Sequence, residues 1–161
     1  MVELEELKKI FILKRLTDPM LERIKPLVTV KRFRDRDVVF REGEEATEFH
    51  MLYSGLILLE MPIGPVMDIT LGTIKPGYSF GWSALMPPPT HYTTHAISSG
   101  NSEVFCLPGK ELQTMMDEDP ELGYRLLRGV VNILKKRLER RTEQFLKTLK
   151  SHPDIQKPFW E

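Results

Sequence analysis

Cysteine is the scarcest residue in this chain of 161 residues, and Cys106 is its single representative. One thiol cannot form a disulfide within the chain, and it cannot supply the cysteine sets that hold structural zinc or iron–sulfur clusters. Disulfide scaffolds and proteins with cysteine-ligated metal sites are therefore excluded. We expect a reducing compartment, and hence a cytoplasmic location.

An excess of charge of either sign is also missing, because 23 Lys and Arg residues balance 23 Asp and Glu residues. No overall field draws such a chain to nucleic acid or to an anionic membrane. No apolar run approaches the roughly 20 residues that a membrane span requires, and the charged segment 1–9 does not resemble a signal peptide. We therefore expect no DNA partner and no membrane partner, and recognition through a local site.

The chain lacks the motifs of common enzyme classes, namely a nucleophile elbow, a phosphate-binding Gly-Lys-Ser/Thr loop and a dinucleotide glycine fingerprint. His91 and His95 have a spacing that suits zinc on a helix. The intervening Tyr92, Thr93 and Thr94 favour a strand, which would separate the two imidazoles by about 13 Å. We expect no catalytic residues, no metal site and no cofactor.

Glycine and proline divide the middle of the chain into short apolar runs, which predict the strands of a barrel or sandwich over residues 29–107. Helical spacing predicts two short helices over residues 1–28, and two further helices, the last of them long, over residues 108–150. Residues 151–161 have no periodicity and are expected to form a tail. The fold class is thus mainly β with flanking α-helices, in a single domain over residues 1–150. The predicted strand runs are Val38–Phe40, Phe49–Tyr53, Leu56–Glu60, Ile69–Ile74, Tyr92–Ile97 and Val104–Leu107.

The last helix carries a stripe of residues in alternating steps of four and three, which is the spacing of a two-stranded coiled coil. The stripe predicts a parallel homodimer, and the alternative is that it packs on the chain's own barrel. Glu139 and Glu143 are interleaved with the basic residues of this helix, which favours a solvated helix face over nucleic-acid binding. These basic residues are Lys135, Lys136, Arg137, Arg140 and Arg141. The stripe consists of Leu127, Val131, Leu134, Leu138, Arg141 and Phe145.

Two motifs resemble the cyclic-nucleotide-binding domains of catabolite-activator-type regulators, protein kinase regulatory subunits and some ion channels. The segment from Gly43-Glu44 through Phe49–Tyr53 to Ser54-Gly55 is similar to the family's early strand–turn–strand. The segment Leu71–Gly81, with its Pro76-Gly77 and Phe80-Gly81 pairs, is similar to the approach to its phosphate-binding cassette. The resemblance spans roughly residues 13–150 and implies a jelly-roll-like β-barrel with a long C-terminal dimerisation helix.

The cassette departs from the family at its two ligand-binding side chains. The glutamate that binds the ribose hydroxyl is replaced by Trp82, and the arginine that pairs with the cyclic phosphate is replaced by Thr90 or His91. These losses together remove roughly two to four decades of affinity at about 1.4 kcal/mol per decade. The resemblance therefore implies a ligand-binding module that is not a standard binder of cyclic AMP or cyclic GMP.

The replacements favour a small aromatic or organic-acid ligand of unknown identity, because they supply aromatic faces, hydroxyls and imidazoles. The alternative is that Trp82 fills the pocket and leaves a structural or interaction module without a ligand. The family resemblance implies that ligand binding shifts a hinge over residues 108–120 and changes contact with a separate effector protein. We also expect no helix-turn-helix of the kind that the family's transcription regulators carry, since about 60 residues would be needed for it after the last helix. The candidate ligand-binding residues are Phe80, Gly81, Trp82, Ser83, Ala84, Thr90, His91, Tyr92, Thr93, Arg141 and Thr142.

Overall fold

The computed structural model describes residues 2–152, so that most of the segment 151–161, which is expected to be a tail, lies outside the described residues. Two helices, α1 (Leu4–Leu7) and α2 (Asp18–Ile24), precede the strands, and α3 (Gly109–Glu118) and α4 (Pro120–Lys150) follow them. The eight strands between them are β1 (Thr29–Phe33), β2 (Val38–Phe40), β3 (Glu48–Ser54), β4 (Ile57–Pro62), β5 (Asp68–Ile74), β6 (Ser79–Phe80), β7 (His95–Ser98) and β8 (Ser102–Pro108).

The strands form two antiparallel sheets of four strands each, in the orders β1-β8-β3-β6 and β2-β7-β4-β5. In the first sheet His50 of β3 lies opposite Cys106 of β8 on one side and Phe80 of β6 on the other. The prediction of strands with flanking helices is thus confirmed. The strand pairing describes a sandwich, and closure of the two sheets into a jelly-roll-like barrel stays a prediction.

Two predicted elements differ from the structure. The helix expected over the first 16 residues is divided into α1, a turn and the 3-10 turn Leu13–Arg15, and the Phe11 amide donates to the carbonyl of Gly77 at 2.8 Å within this turn. The strand predicted to begin at Tyr92 begins instead at His95. The amide of Tyr92 donates to the Glu44 carbonyl, so that its backbone pairs with a loop rather than with β4.

Helix α4 begins at Pro120, where the Asp119 side chain accepts a hydrogen bond from the Leu122 amide as an N-cap. The helix carries two apolar stripes. One stripe is buried against the N-terminal segment and α3, and at Gly129 an added Cβ would lie 3.1 Å from the Cα of Ile12. The second stripe is the predicted seam, and it is exposed, which is contrary to the alternative that it packs on the chain's own strands. The buried stripe comprises Leu122, Leu126, Val130 and Ile133, and the exposed apolar residues of the seam are Leu127, Val131, Leu134, Leu138 and Phe145.

Candidate ligand-binding site

A cavity of about 380 Å³ lies between the sandwich and the second half of α4. Its walls come from three parts of the chain: the strands β2 and β4, the segment from β6 to β7, and the face of α4. The residues that line it are Phe40, Leu59, Phe80, Gly81, Trp82, Ser83, Tyr92, Thr93, Thr94, Leu134, Arg137, Leu138 and Arg141.

The floor of the cavity is set by the turn Trp82–Leu85, which directly follows Gly81. Gly81 has a φ of +70°, a conformation that favours glycine. A Cβ at this position would also lie 2.8 Å from Nδ1 of His50, so that both the backbone angle and the space require glycine here. The Phe80-Gly81 pair of the sequence motif therefore places the next residue, Trp82, at the cavity.

Trp82 is held between the sandwich and α4. Its indole Nε1 donates to Oγ of Ser79 at 3.0 Å, and the guanidinium of Arg137 lies 4.3 Å from the centre of its ring system. One Nη of Arg137 donates to the backbone carbonyl of Ser79 at 2.7 Å. This stacked cation ties the middle of α4 to the turn that carries Trp82.

The inner wall of the cavity is aromatic. Phe40 and Tyr92 stack with ring centres 3.8 Å apart, and Phe80 lies 5.9 Å from Phe40. The hydroxyl of Tyr92 donates to the Glu48 carbonyl at 2.7 Å, and burial raises the pKa of this phenol to about 12. Tyr92 thus presents a neutral, fixed ring to the cavity.

The charge of the cavity comes from arginine alone. Among the described residues that line it, Arg137 and Arg141 are cationic and none is acidic. Burial, together with the nearby charge of Arg141, lowers the pKa of Arg137 to about 10. Within residues 2–152 neither of these guanidiniums forms a salt bridge with a carboxylate. The site therefore combines aromatic walls with positive charge that the protein itself does not neutralise.

The structure brings together seven of the eleven predicted site residues, namely Phe80, Gly81, Trp82, Ser83, Tyr92, Thr93 and Arg141. The other four do not line the cavity. Ala84 is buried against the start of α3, and the backbone of Thr90 accepts a hydrogen bond from the Ala46 amide. His91 is exposed, and Thr142 donates its hydroxyl to the Leu138 carbonyl of its own helix. A role of these residues in binding a ligand stays a prediction.

Sequence reasoning missed Arg137, the most buried of the basic residues in this part of α4. The interleaved charges predict a solvated helix face for Arg137 as for Lys135, and this prediction is wrong for Arg137, which is half-buried. It holds for Lys135, which pairs with Glu139 at 2.8 Å in solvent. A signal was present in the spacing, since Arg137 is three residues after Leu134 and four before Arg141, and so shares their side of the helix.

A second cluster of titratable groups lies within the sandwich, where Glu48, His50 and Cys106 place ligand atoms within 4.8 Å of one another. Lys31 pairs with the Glu48 carboxylate. Burial lowers the pKa of His50 to about 3 and raises the pKa of Cys106 to about 12, so that both side chains are neutral at physiological pH. Cys106 and His50 lie opposite each other on adjacent strands. The spacing of His91 and His95 in the sequence gives no indication of this cluster.

Comparison with known proteins finds many solved structures of the same fold. A protein of Geobacter metallireducens assigned to cyclic nucleotide binding is 28% identical, with a TM-score of 0.75 over 86% of this chain and 99% of its own. A cyclic nucleotide-binding domain from Methylobacillus flagellatus is 13% identical, with a TM-score of 0.78 over 89% of this chain and 84% of its own. The c-di-GMP-responsive global regulator CLP of Xanthomonas campestris is 19% identical, with a TM-score of 0.70 over 86% and 74%.

A search of curated proteins finds no matching relative. In the part of the chain that the structure describes, none of the helices has the length and apolar character needed to cross a membrane. The model of the cyclic nucleotide-binding domain matches residues 30–119, which is more than half of the chain and covers the strands, the cavity turn and α3. Members of this family are regulatory or sensor proteins. The match confirms the predicted resemblance: the chain belongs to the cyclic nucleotide-binding domain family.

Proposed function

We propose that this protein is a regulatory sensor module, in which a small molecule binds in the cavity and α4 transmits the binding event. The observation that carries the proposal is the cavity itself, because one wall belongs to the rigid sandwich and the other belongs to α4. A ligand in this space contacts both, and its affinity depends on how α4 is placed. Residues 1–150 form the working unit, which acts in a reducing compartment such as the cytoplasm and carries no catalytic function.

The ligand of this module differs from an ordinary cyclic mononucleotide. Trp82 occupies the place of the ribose-binding glutamate, and both positions aligned with the phosphate-binding arginine, Thr90 and His91, lie outside the cavity. The alternative, a permanently filled pocket, is disfavoured by the volume of about 380 Å³ that remains beside Trp82. This volume suits a small organic molecule.

Hydrogen bonds between the cavity turn and α3 provide an indirect connection from the cavity to the start of α4. Nε2 of Gln113 donates to the carbonyls of Ala84 and Met86 at 2.9 and 3.3 Å. A Cβ on Gly109 would lie 2.3 Å from the Ala84 carbonyl, so that α3 begins in close contact with the turn. A shift of the turn therefore moves α3, and with it the joint at Asp119 from which α4 begins.

The surface through which α4 transmits binding is its exposed seam, and we propose that a second copy of this chain packs against this seam. Val131, Leu138 and Phe145 are each more than 60% exposed, at the seven-residue spacing of a parallel coiled coil. Leu134 and Leu138 belong both to the seam and to the cavity lining. Ligand and second copy thus meet the same stretch of helix, and a separate effector protein would respond to the paired helices.

The test is a thermal-shift screen of cyclic AMP, cyclic GMP, cyclic dinucleotides and aromatic and organic acids. A ligand at a hundredfold excess over its Kd raises the Tm by about 5–10 °C. Thr93→Trp, which adds bulk at the cavity lining, abolishes the shift, and His91→Trp, at an exposed position outside the cavity, preserves it. A shift with cyclic AMP or cyclic GMP contradicts the exclusion of ordinary ligands. A shift that survives Thr93→Trp, or no shift with any compound, contradicts the sensor proposal.

A further inference from the structure

We infer that the cavity binds an organic anion whose apolar or aromatic body packs on Trp82 and Tyr92 and whose charged group is held by Arg137 and Arg141 of α4. The inference rests on the proposed function and specifies the class of ligand. Carboxylates and phosphate or sulfate esters share the required chemistry, since each offers two or more oxygens to a guanidinium.

The charge of the lining favours an anion over a neutral or cationic ligand. Two guanidiniums border the cavity, and no described lining residue is acidic. Three arginines elsewhere in the chain are paired with carboxylates, Arg23 with Asp119, Arg36 with Glu60 and Arg125 with Glu121. Arginines outside the cavity that have no carboxylate partner in the described part of the chain, such as Arg34 and Arg41, are exposed to solvent. Arg137 differs from them in being half-buried without a carboxylate partner among residues 2–152. A bound anion supplies the missing partner in a space from which water is partly excluded.

Arg137 has the donors that this contact needs. Its guanidinium carries five N–H groups, and the hydrogen bond to Ser79 uses one of them. Its half-buried position and its stacking on Trp82 fix the plane of the guanidinium at the edge of the cavity. Arg141 lies one helical turn further along α4 and borders the same space. Two guanidiniums four residues apart on one helix face form a cleft for one anionic group.

This arrangement moves the anion-binding charge from the cassette to the helix. Thr90 and His91, which align with the family's arginine, do not line the cavity, and the positive charge stands instead on the opposite wall. An anion held there contacts α4 directly. Binding is consequently coupled to the position of α4, without relying on the cavity turn to relay it.

The experiment compares 2-naphthoate with 2-naphthamide, two probes of nearly the same shape that differ in charge. Binding is measured from the fluorescence of Trp82 in a Trp160→Phe background, with unchanged thermal unfolding as the check that each variant folds. We expect the acid to bind at least about tenfold more tightly than the amide. This preference disappears in Arg137→Gln and in Arg141→Gln, and it persists in Arg140→Gln, because Arg140 lies between them in the sequence but outside the cavity lining.

Each result bears on one of the two proposals. Equal binding of acid and amide overturns the anion inference and leaves the sensor function standing. A preference that survives both Arg137→Gln and Arg141→Gln, or that is lost in Arg140→Gln, also overturns it, since the anion then sits in another groove. If neither naphthalene probe binds, the inference fails, and the wider screen described above decides separately on the sensor function.

Discussion

The two halves of α4 carry the same kind of apolar spacing and yet have opposite surroundings. In the first half Leu126 is fully buried, whereas its neighbour Leu127 is 40% exposed. In the second half, beyond Ile133, the apolar side chains remain exposed and two arginines border a cavity. The first half thus buries one of its two apolar stripes against the chain itself, whereas the second half leaves most of its apolar side chains exposed and gives Arg137 and Arg141 no carboxylate partner within residues 2–152.

Glycines mark the stripe that meets the chain's own core. A Cβ added at Gly129 would lie 3.1 Å from the Cα of Ile12, and a Cβ added at Gly123 would lie 3.1 Å from the carbonyl oxygen of Met116. A helix approaches its neighbours this closely only where side chains are absent. The exposed seam contains no glycine, and where it faces the sandwich, at Leu134 and Leu138, a cavity lies between them. Periodicity alone therefore shows that a helix has two apolar faces, while small residues show which face is packed within the chain.

The largest effect that would test this comparison is expected from Leu126→Ala. Truncation of a fully buried leucine removes packing and leaves a cavity, so the free energy of unfolding falls by about 2–5 kcal/mol. Leu127→Ala is the matched control and changes the stability of the monomer by about 0.5 kcal/mol or less. Urea denaturation at a protein concentration below that of dimerisation measures both values. Similar losses in the two variants would show that the two stripes are not distinct.

A smaller effect is expected from His50, which is buried within the sandwich, as the first stripe of α4 is buried within the chain. Burial lowers its pKa from 6.5 to about 3, so below pH 6.5 the unfolded chain binds a proton that the folded chain does not. The free energy of unfolding therefore falls progressively as the pH decreases from 6.5 toward 3, and the loss reaches about 2 kcal/mol at pH 5. The variant His50→Leu lacks this term.

The measurement for His50 is the difference in unfolding free energy between wild type and His50→Leu. This difference should shift by about 2 kcal/mol in favour of the variant between pH 7.5 and pH 5. Other titrating groups are common to both proteins and cancel in the difference. A difference that is the same at both pH values would show that His50 accepts a proton in the folded state.

The smallest effect is expected from Arg141, which occupies a position of the exposed seam in the second half of α4. In the proposed parallel dimer two Arg141 side chains approach each other, and like charges at a seam weaken pairing. Arg141→Leu should therefore lower the dimer Kd by about tenfold, or about 1.4 kcal/mol, and reduce its dependence on salt. Sedimentation equilibrium at low and high ionic strength measures this, with Arg140→Leu as a control off the seam. Equal Kd values for wild type and Arg141→Leu would place Arg141 away from the dimer contact.

Much of the fold could be predicted from the sequence because its signals are local. Asp119 and Pro120, a capping residue followed by proline, give the joint between α3 and α4, and the Phe80-Gly81 pair locates the turn that carries Trp82. The prediction of a strand at Tyr92 is wrong because its aromatic side chain suits a strand wherever the backbone pairs. Its backbone pairs instead with the loop at Glu44, a contact between distant segments that no local pattern reports.

What the sequence by itself determined was the class of fold and the position of the cavity turn, and it predicts that the family's glutamate and arginine are absent from that turn. These features depend on residue type and on the spacing of nearby residues, both of which can be seen directly in the sequence. The tertiary structure alone decided that Arg137 reaches across to Trp82, that His91 and Thr90 lie outside the cavity, and that space remains beside the indole. These are distances between residues up to 55 positions apart, which depend on how α4 packs against the sandwich.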